Sequence, residues 1–523
     1  MWRMSRKQRA RLERTRGWAG SMEGYATPFS HDDAKSLQGK LQGAVVLPSD
    51  PPYAASRQLS NLAFQSFPLL IVYCEVFQDV WECLQFASQQ GLWVTTRSGG
   101  HSTAGFSMND GMVIDTSRLN GVYVDPVRKV VVVGPGTNWG HLNATLADYG
   151  LHVPTGICGD VCVAGFMQGG GYGLTSRLFG MNCDNVLEML VMLADGRIVR
   201  AAADCNPDLF WAMRGGTGNN FGILLQVTYQ LRDLPPLWGF GLEWPIDKAP
   251  AALAALQADY MRSGAPPELG YMGALVRLAP ALEPLLVMRG TYWGSPAQGK
   301  KALKPLMDKT GATLQLQRVG SYFELNDWLF EGIPPCPDLA REDKQSTNIA
   351  RQLTTKEWRE VCKRFAASPN PWTAVAIEPY GGAINQVARG ATAFVHREAD
   401  MNLFVDVFWM DDKQRQEVQS YLDDFMTLLD PLGNGESYQN YPRLSQTDYR
   451  QRYWAEQFPR LLAIKRKYDP DNTFRYAQSV SPEPGQPWPS PQGDPVVPEP
   501  WGPPPIEKPV KTPQTRKAGR RPT

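Results

Sequence analysis

Histidine is scarce in this chain, five residues in 523, so catalysis that depends on imidazole has few places to draw from. No apolar run reaches the roughly 20 residues that a bilayer-spanning helix needs, and no membrane span is expected. The eight cysteines (Cys74, Cys83, Cys158, Cys162, Cys183, Cys205, Cys336, Cys362) form no C-x-x-C pair and no zinc-ligand spacing. Free thiols are therefore the expectation. Neither a GxGxxG fingerprint nor a Walker A loop is present, because Lys and Ser/Thr are missing from the required positions. No internal repeat is visible. The N-terminal stretch is charged but has neither an apolar h-region nor a twin-arginine pair, so no secretory signal is read and a cytoplasmic location is expected. Met22 is a candidate for a later start.

What is present is a globular composition, 43% hydrophobic and 20% charged, with length for two large domains. The net charge of +1 is unevenly spread. Residues 1–16 carry +6, residues 508–523 carry +6, and the stretch between is net acidic. An acidic body with basic tails is not a nucleic-acid binder through its body, and no nucleic-acid partner is expected. From Ser481 to Thr523 there are 14 prolines, which no helix or sheet ladder tolerates. This basic, proline-rich segment reads as a disordered tail whose PxxP spacings offer at most weak partner contacts.

Periodicity divides the rest. Apolar runs predict strands over 69–73, 112–115, 122–124 and 130–133, and helices over 80–90 and 141–149. Residues 187–193 and 198–200 flank an Asp-Gly turn and read as a hairpin. After Pro235 the pattern changes to helices over 251–262, 413–429 and 457–468 and strands over 272–278, 373–377 and 403–409. The expected boundaries are an N-terminal basic extension (1–40), a first domain (41–235), a second α+β domain (236–430), a C-terminal return to the first (431–480) and the tail (481–523).

Two glycine-rich loops carry the chemical signal. The first, Thr96-Arg97-Ser98-Gly99-Gly100-His101-Ser102, follows a strand-like run; adjacent glycines let backbone N–H groups converge on a pyrophosphate. The second runs from Gly156-Ile157-Cys158 through Val161 and Gly165 into Gly169-Gly170-Gly171-Tyr172-Gly173. So many glycines are costly in chain entropy, and close approach of a ligand explains them.

These loops, with Asn206-Pro207-Asp208-Leu209-Phe210-Trp211-Ala212, Gly215-Gly216-Thr217-Gly218-Asn219-Asn220-Phe221-Gly222, Tyr438-Gln439-Asn440-Tyr441-Pro442 and Lys467-Tyr468-Asp469-Pro470-Asp471-Asn472-Thr473-Phe474, occur in one order. Over residues 60–480 the chain resembles the berberine-bridge-enzyme-like flavoproteins of the vanillyl-alcohol oxidase superfamily. The resemblance implies an α+β, two-domain flavoprotein. An FAD-binding α/β domain is joined by the C-terminal return, and a substrate domain with a helix-covered antiparallel sheet roofs the flavin ring. It implies FAD held bicovalently, through His101 to the 8α-methyl carbon and through Cys158 to C6. Cys162 stands where relatives have Gly. The implied cofactor-binding residues are Arg97, Ser98, Gly99, Gly100, His101 and Ser102; Cys158, Val161, Gly165, Gly169, Gly170, Gly171 and Gly173; and Asn220, Gly222, Ile223 and Asn440. A neutral imidazole and a thiolate of lowered pKa are both competent nucleophiles for such links.

Oxidation of an alcohol also needs a base for the hydroxyl proton. Tyr441 matches the catalytic tyrosine of several relatives, but an isolated phenol, with a pKa of about 10, is a poor base. Glu378 either accepts the phenolic proton in a relay or is a solvated charge at a strand end. Tyr380 shares its face if the strand continues, and is a reserve candidate. Plant alkaloid enzymes of the family use a Glu on the strand corresponding to 402–409. Asp406 is near but out of place, which disfavours berberine-type ring closure. Val161 matches a position where Val accompanies reaction with O₂. The expected activity is thus oxidation of a CH–OH or hemiacetal carbon of a small-molecule substrate, sugar or glycosylated metabolite, with O₂ reduced to H₂O₂. A dehydrogenase with another acceptor and a silent flavin-binding protein acting through its tails are the alternatives.

Overall fold

The computed structural model describes residues 28–261, 265–333 and 340–482; residues 1–27, 483–523 and Cys336 lie outside them, whereas His31–Gln38 of the expected extension is a helix whose Ala34 and Leu37 join the core of the first sheet. Three sheets and a two-stranded ribbon organise these residues. The first sheet has strands β1 (Ala44–Val46), β2 (Leu70–Tyr73), β3 (Val94–Arg97) and β4 (Met112–Asp115), ordered β1-β2-β4-β3. Strands β2, β4 and β3 are parallel. The short apolar runs of β2 and β4 are buried along their length apart from Tyr73, as parallel strands covered on both faces require.

The second sheet is antiparallel, ordered β5-β6-β10-β8-β9 from β5 (Val122–Asp125), β6 (Val130–Val133), β8 (Val186–Met192), β9 (Ile198–Ala202) and β10 (Ile223–Gln230). The ribbon pairs β7 (Leu151–His152) with β11 (Arg232–Asp233). The expected hairpin is β8–β9, turning at Asp195-Gly196, where Gly196 takes φ +87°. The helix expected over 80–90 spans Phe77–Gln90 and stops at the left-handed Gly91. That expected over 141–149 is Trp139–Ala147, capped by Asn138, whose Oδ1 accepts from the His141 N–H at 2.8 Å.

The third sheet has seven antiparallel strands in the order β15-β12-β14-β13-β17-β18-β16. They are β12 (Leu237–Pro245), β13 (Leu269–Val276), β14 (Leu285–Tyr292), β15 (Thr313–Gly320), β16 (Arg341–Ile349), β17 (Ala374–Pro379) and β18 (Met401–Trp409). Periodicity locates β13, β17 and β18 within three residues at each end. It does not mark β16, Arg-Glu-Asp-Lys-Gln-Ser-Thr-Asn-Ile, because the inward side chains there are polar rather than apolar.

The two faces of this sheet have different partners, and strand alternation sorts them. Val375, Ile377, Leu403, Val405 and Val407 join the core beneath the helices Ala249–Tyr260, Thr355–Ala366 and Arg415–Leu429. Each such side chain contributes ~1.5–3 kcal/mol on burial. The alternate residues, Met272, Ala274, Ala374, Ala376 and Phe404, turn to the opposite side and meet the core of the second sheet. Small side chains on this face leave space between the two layers. The C-terminal helix Phe458–Tyr468 locks the return segment: the buried Lys465 ammonium donates to Asp469 Oδ2, Asn220 O and Phe474 O, each at 2.6 Å. Among the described residues no helix is long and apolar enough to cross a membrane.

Candidate active site

The space between the layers is a cavity of about 480 Å³. One wall is the first glycine loop, following β3; a second is the stretch from Gly156 to Gln168; the sheet face forms the floor, and residues 438–442 close one side. The first loop is positioned from behind. Asn219, in left-handed conformation at φ +57°, accepts from the Thr96 N–H at 2.9 Å and donates to Thr95 Oγ1 and Thr96 O at 3.1 Å. Gly100 turns the chain at φ +73°, which favours glycine.

Ser98, Gly99, Gly100, His101 and Ser102 line the cavity, as do Cys158, Val161, Gly165, Gly222, Ile223 and Asn440. Two features of the wall suit a large planar, polar-tailed cofactor. A Cβ on Gly165 would meet no protein atom within 4 Å, so the glycine leaves room that the protein does not fill. The buried Ser107 hydroxyl, also in the wall, has no protein partner, a group that a polar ligand atom would satisfy. His101 Nε2 lies 3.0 Å from Asp160 Oδ2, with Nδ1 on the other side of the ring. That hydrogen bond from His101 holds the Asp160 carboxyl below its ordinary pKa. Cys158 opens to the cavity, yet the protein around it pushes its thiol up to about 11, against the opposing pull of Lys344. The protein around Cys158 thus favours the thiol over the thiolate.

Three expectations about the loops are corrected. Gly169, Gly170, Gly171 and Gly173 do not line the cavity. A Cβ at these positions would run into Asn440, Phe394, Phe166 and the Thr155 carbonyl, respectively. The run is glycine-rich because protein, not ligand, approaches its backbone. Arg97 is buried against Asp115 (2.5 Å) and the Ser56 carbonyl (2.6 Å), a brace behind the loop. Asn220 accepts from the Val480 N–H at 2.8 Å and donates to Gly216 O at 2.9 Å, so it fastens the C-terminal return instead of facing the cavity. Accordingly, Gly169→Ala is expected to lower the Tm through ~1–3 kcal/mol of overpacking. Gly165→Ala is expected to leave the Tm in place and reduce bound flavin, read from a thermal scan and the visible absorbance of the purified protein.

Proton-handling groups converge at the floor. The Tyr441 hydroxyl donates to Glu378 Oε1 at 2.5 Å, and Asn402 Nδ2 donates to Glu378 Oε2 at 2.8 Å. Glu378 is 2% exposed, which overturns the reading of it as a solvated charge. Burial raises its carboxyl to about 7, although hydrogen bonds from Tyr441 and Asn402 and the charge of Lys344 pull the other way. Burial, and then the Glu378 charge, push the Tyr441 phenol well above its ordinary value. Tyr380 is corrected. Strand β17 ends at Pro379, Gly381 and Gly382 turn at positive φ, and the Tyr380 ring leaves the cavity to stack on Tyr172 at 6.0 Å.

Sequence reasoning missed Glu342 and Lys344, on adjacent inward positions of β16, and set Asp406 aside. Lys344 Nζ bonds Glu342 Oε1 at 2.7 Å and Asp406 Oδ2 at 2.9 Å, and lies 5.0 Å from the centre of the Tyr441 ring. The available signal was a charge inside an otherwise apolar strand, Leu403-Phe404-Val405-Asp406-Val407-Phe408-Trp409, which demands a buried partner.

Comparison with known proteins is consistent with this geometry. The model of the FAD binding domain matches residues 68–202, and that of the segment described as "berberine and berberine like" matches 437–481. The chain is 28% identical over 451 residues to an FAD-linked oxidoreductase of Bacillus subtilis, spanning 85% of this chain and 98% of that protein. It is 28% identical over 466 residues to a carbohydrate oxidase of Microdochium nivale, spanning 83% and 92%. In fold it matches the berberine-bridge-enzyme-like protein 1 of Physcomitrella patens, with a TM-score of 0.79 at 24% identity over 86% of this chain and 98% of that one.

Proposed function

Because the chain is a berberine-bridge-enzyme-like FAD-linked oxidoreductase, we propose that it oxidises a hydroxyl-bearing or hemiacetal carbon of a sugar, with O₂ as the electron acceptor and H₂O₂ as the product. The observation that carries this reading is the hydrogen bond from Tyr441 to the buried Glu378 in the cavity floor. The sugar assignment draws also on the carbohydrate oxidase relative, and the O₂ assignment on Val161 in the cavity wall.

Residues 41–235 and 431–480 hold the cofactor in this reading, and 236–430 present the substrate. FAD supplies the two-electron acceptor. His101 and Cys158 are its covalent anchors, with Asp160 holding His101 Nε2 and leaving Nδ1 as the ring nitrogen it does not engage. The substrate hydroxyl donates its proton to the Tyr441 oxygen as Tyr441 passes its own to Glu378. A carboxyl with a pKa of about 7 suits that exchange near neutral pH. The apolar face of the sheet around Ala274, Ala374 and Ala376 excludes water from this step.

Two measurements test the reading. Anaerobic mixing with aldose oligosaccharides should bleach the flavin, and admitting O₂ should restore it with stoichiometric H₂O₂. The denatured protein should weigh one FAD more than the bare chain. His101→Ala and Cys158→Ala should each retain that added mass, and only the double variant should lose it. A wild type with no covalent flavin would remove both anchors.

A further inference from the structure

We propose that Glu342, Lys344 and Asp406 form a binding subsite for a second, uncharged hydroxyl group of the substrate, on the carbon next to the one oxidised. The assignment rests on the sugar-oxidising reading above and names the part of the substrate that the floor of the cavity recognises.

The subsite is built by register. Lys344 of β16 lies directly opposite Asp406 of β18, and Glu342 opposite Phe408. All three acidic and basic side chains line the same cavity as Tyr441 and Glu378. Asp406 is 4% exposed; its Oδ2 takes the Lys344 ammonium and its carboxyl also meets that of Glu342, while its Oδ1 receives no protein donor. A buried polar atom left unpaired is unfavourable, and a ligand hydroxyl at Oδ1 removes that deficit. Lys344 uses two of its three N–H donors on Glu342 and Asp406, and the rings of Phe404 and Tyr441 flank it at 5.3 and 5.0 Å. The Lys344 ammonium thus stands against the same Tyr441 ring whose hydroxyl meets Glu378.

The charge balance decides the class of group. Burial and the neighbouring Glu342 carboxylate favour the protonated form of Asp406. Burial disfavours the Lys344 ammonium, yet Asp406 and Glu342 outweigh it and keep the amine charged. Lys344 is already paired with both acids, so the cluster offers no unpaired charge for an ionic ligand to match. An amine would have to expel the Asp406 proton, and a carboxylate would face Glu342 and Glu378. A hydroxyl both donates and accepts, and answers Asp406 Oδ1 and the free Lys344 donor without any change of charge.

The test compares a reactive aldose with its 2-deoxy and 2-amino-2-deoxy counterparts on the flavin-loaded enzyme. In the wild type, kcat/KM for the 2-deoxy sugar is expected to fall at least about 100-fold, as a site built to bond a hydroxyl rejects a substrate lacking it. In Asp406→Ala the parent sugar should drop to the level of the 2-deoxy sugar, so that the ratio falls below about fivefold. Asp406→Asn, which keeps the shape and an acceptor for Lys344, should retain an intermediate ratio. Equal turnover of the parent and 2-deoxy sugars by the wild type, or preference for the amino sugar, would overturn the assignment while leaving a sugar oxidase in place. If no aldose reduces the flavin, the sugar reading itself falls and the subsite falls with it.

Discussion

Tyr441→Phe is expected to slow anaerobic flavin reduction by about 10²–10⁴-fold, the usual contribution of a positioned acid–base group. The flavin content should stay that of the wild type. The change removes one oxygen and leaves the ring packed at 4.6 Å from Phe404 and 5.0 Å from Tyr438, so the fold and the cofactor loops have no reason to shift. Glu378 keeps its hydrogen bond from Asn402. Stopped-flow absorbance of the flavin after mixing with substrate reads the reductive step alone, apart from O₂ and product release. A Tyr441→Phe protein that reduces within about fivefold of the wild-type rate would take Tyr441 out of the proton path.

The second large effect is on pH. With its carboxyl at about 7, Glu378 accepts a proton only above that pH. The reductive rate should therefore rise about tenfold per pH unit on the acid side, level off above about 7, and lose this inflection in Glu378→Gln. Lys344→Met should move the inflection upward, because the Lys344 charge is one of the influences holding Glu378 down. The same shift has a stability consequence of opposite sense. A carboxyl whose pKa is raised on folding binds more protons in the folded chain than in the unfolded one between about pH 4.5 and 7. This residue therefore makes the protein less stable as pH rises through that window, by on the order of 3 kcal/mol. Glu378→Gln should flatten that segment of a Tm-against-pH curve. A pH-independent reductive rate between 5.5 and 8.5, values chosen to bracket about 7, would exclude Glu378 as the acceptor.

Legibility in the sequence followed the range of the interaction. The strands β2, β4 and β6 and the helices Phe77–Gln90 and Arg415–Leu429 were readable because apolar period and chain order alone determine them. The strand β16 was not, because its inward residues are charged and become interior only through their partners on β18. Among the glycines the same division holds. Gly99 and Gly100 line the cavity as their motif suggested, whereas Gly169, Gly170, Gly171 and Gly173 answer to Asn440, Phe394, Phe166 and Thr155, contacts that no local pattern records.

By itself the sequence determined the order of the glycine-rich loops and which residues of each apolar strand share a face, properties that depend on residue type and on spacing along the chain; the anchors His101 and Cys158 are what the family resemblance implies. Only the tertiary structure decided that Glu378 is buried beneath Tyr441, 63 positions away, that Tyr380 turns out of the cavity, and that Lys344 stands between Glu342 and Asp406. The proton affinity of a carboxyl depends on the water removed from it and the charges brought near it, and both are supplied by distant segments only once the sheet has closed over the loops.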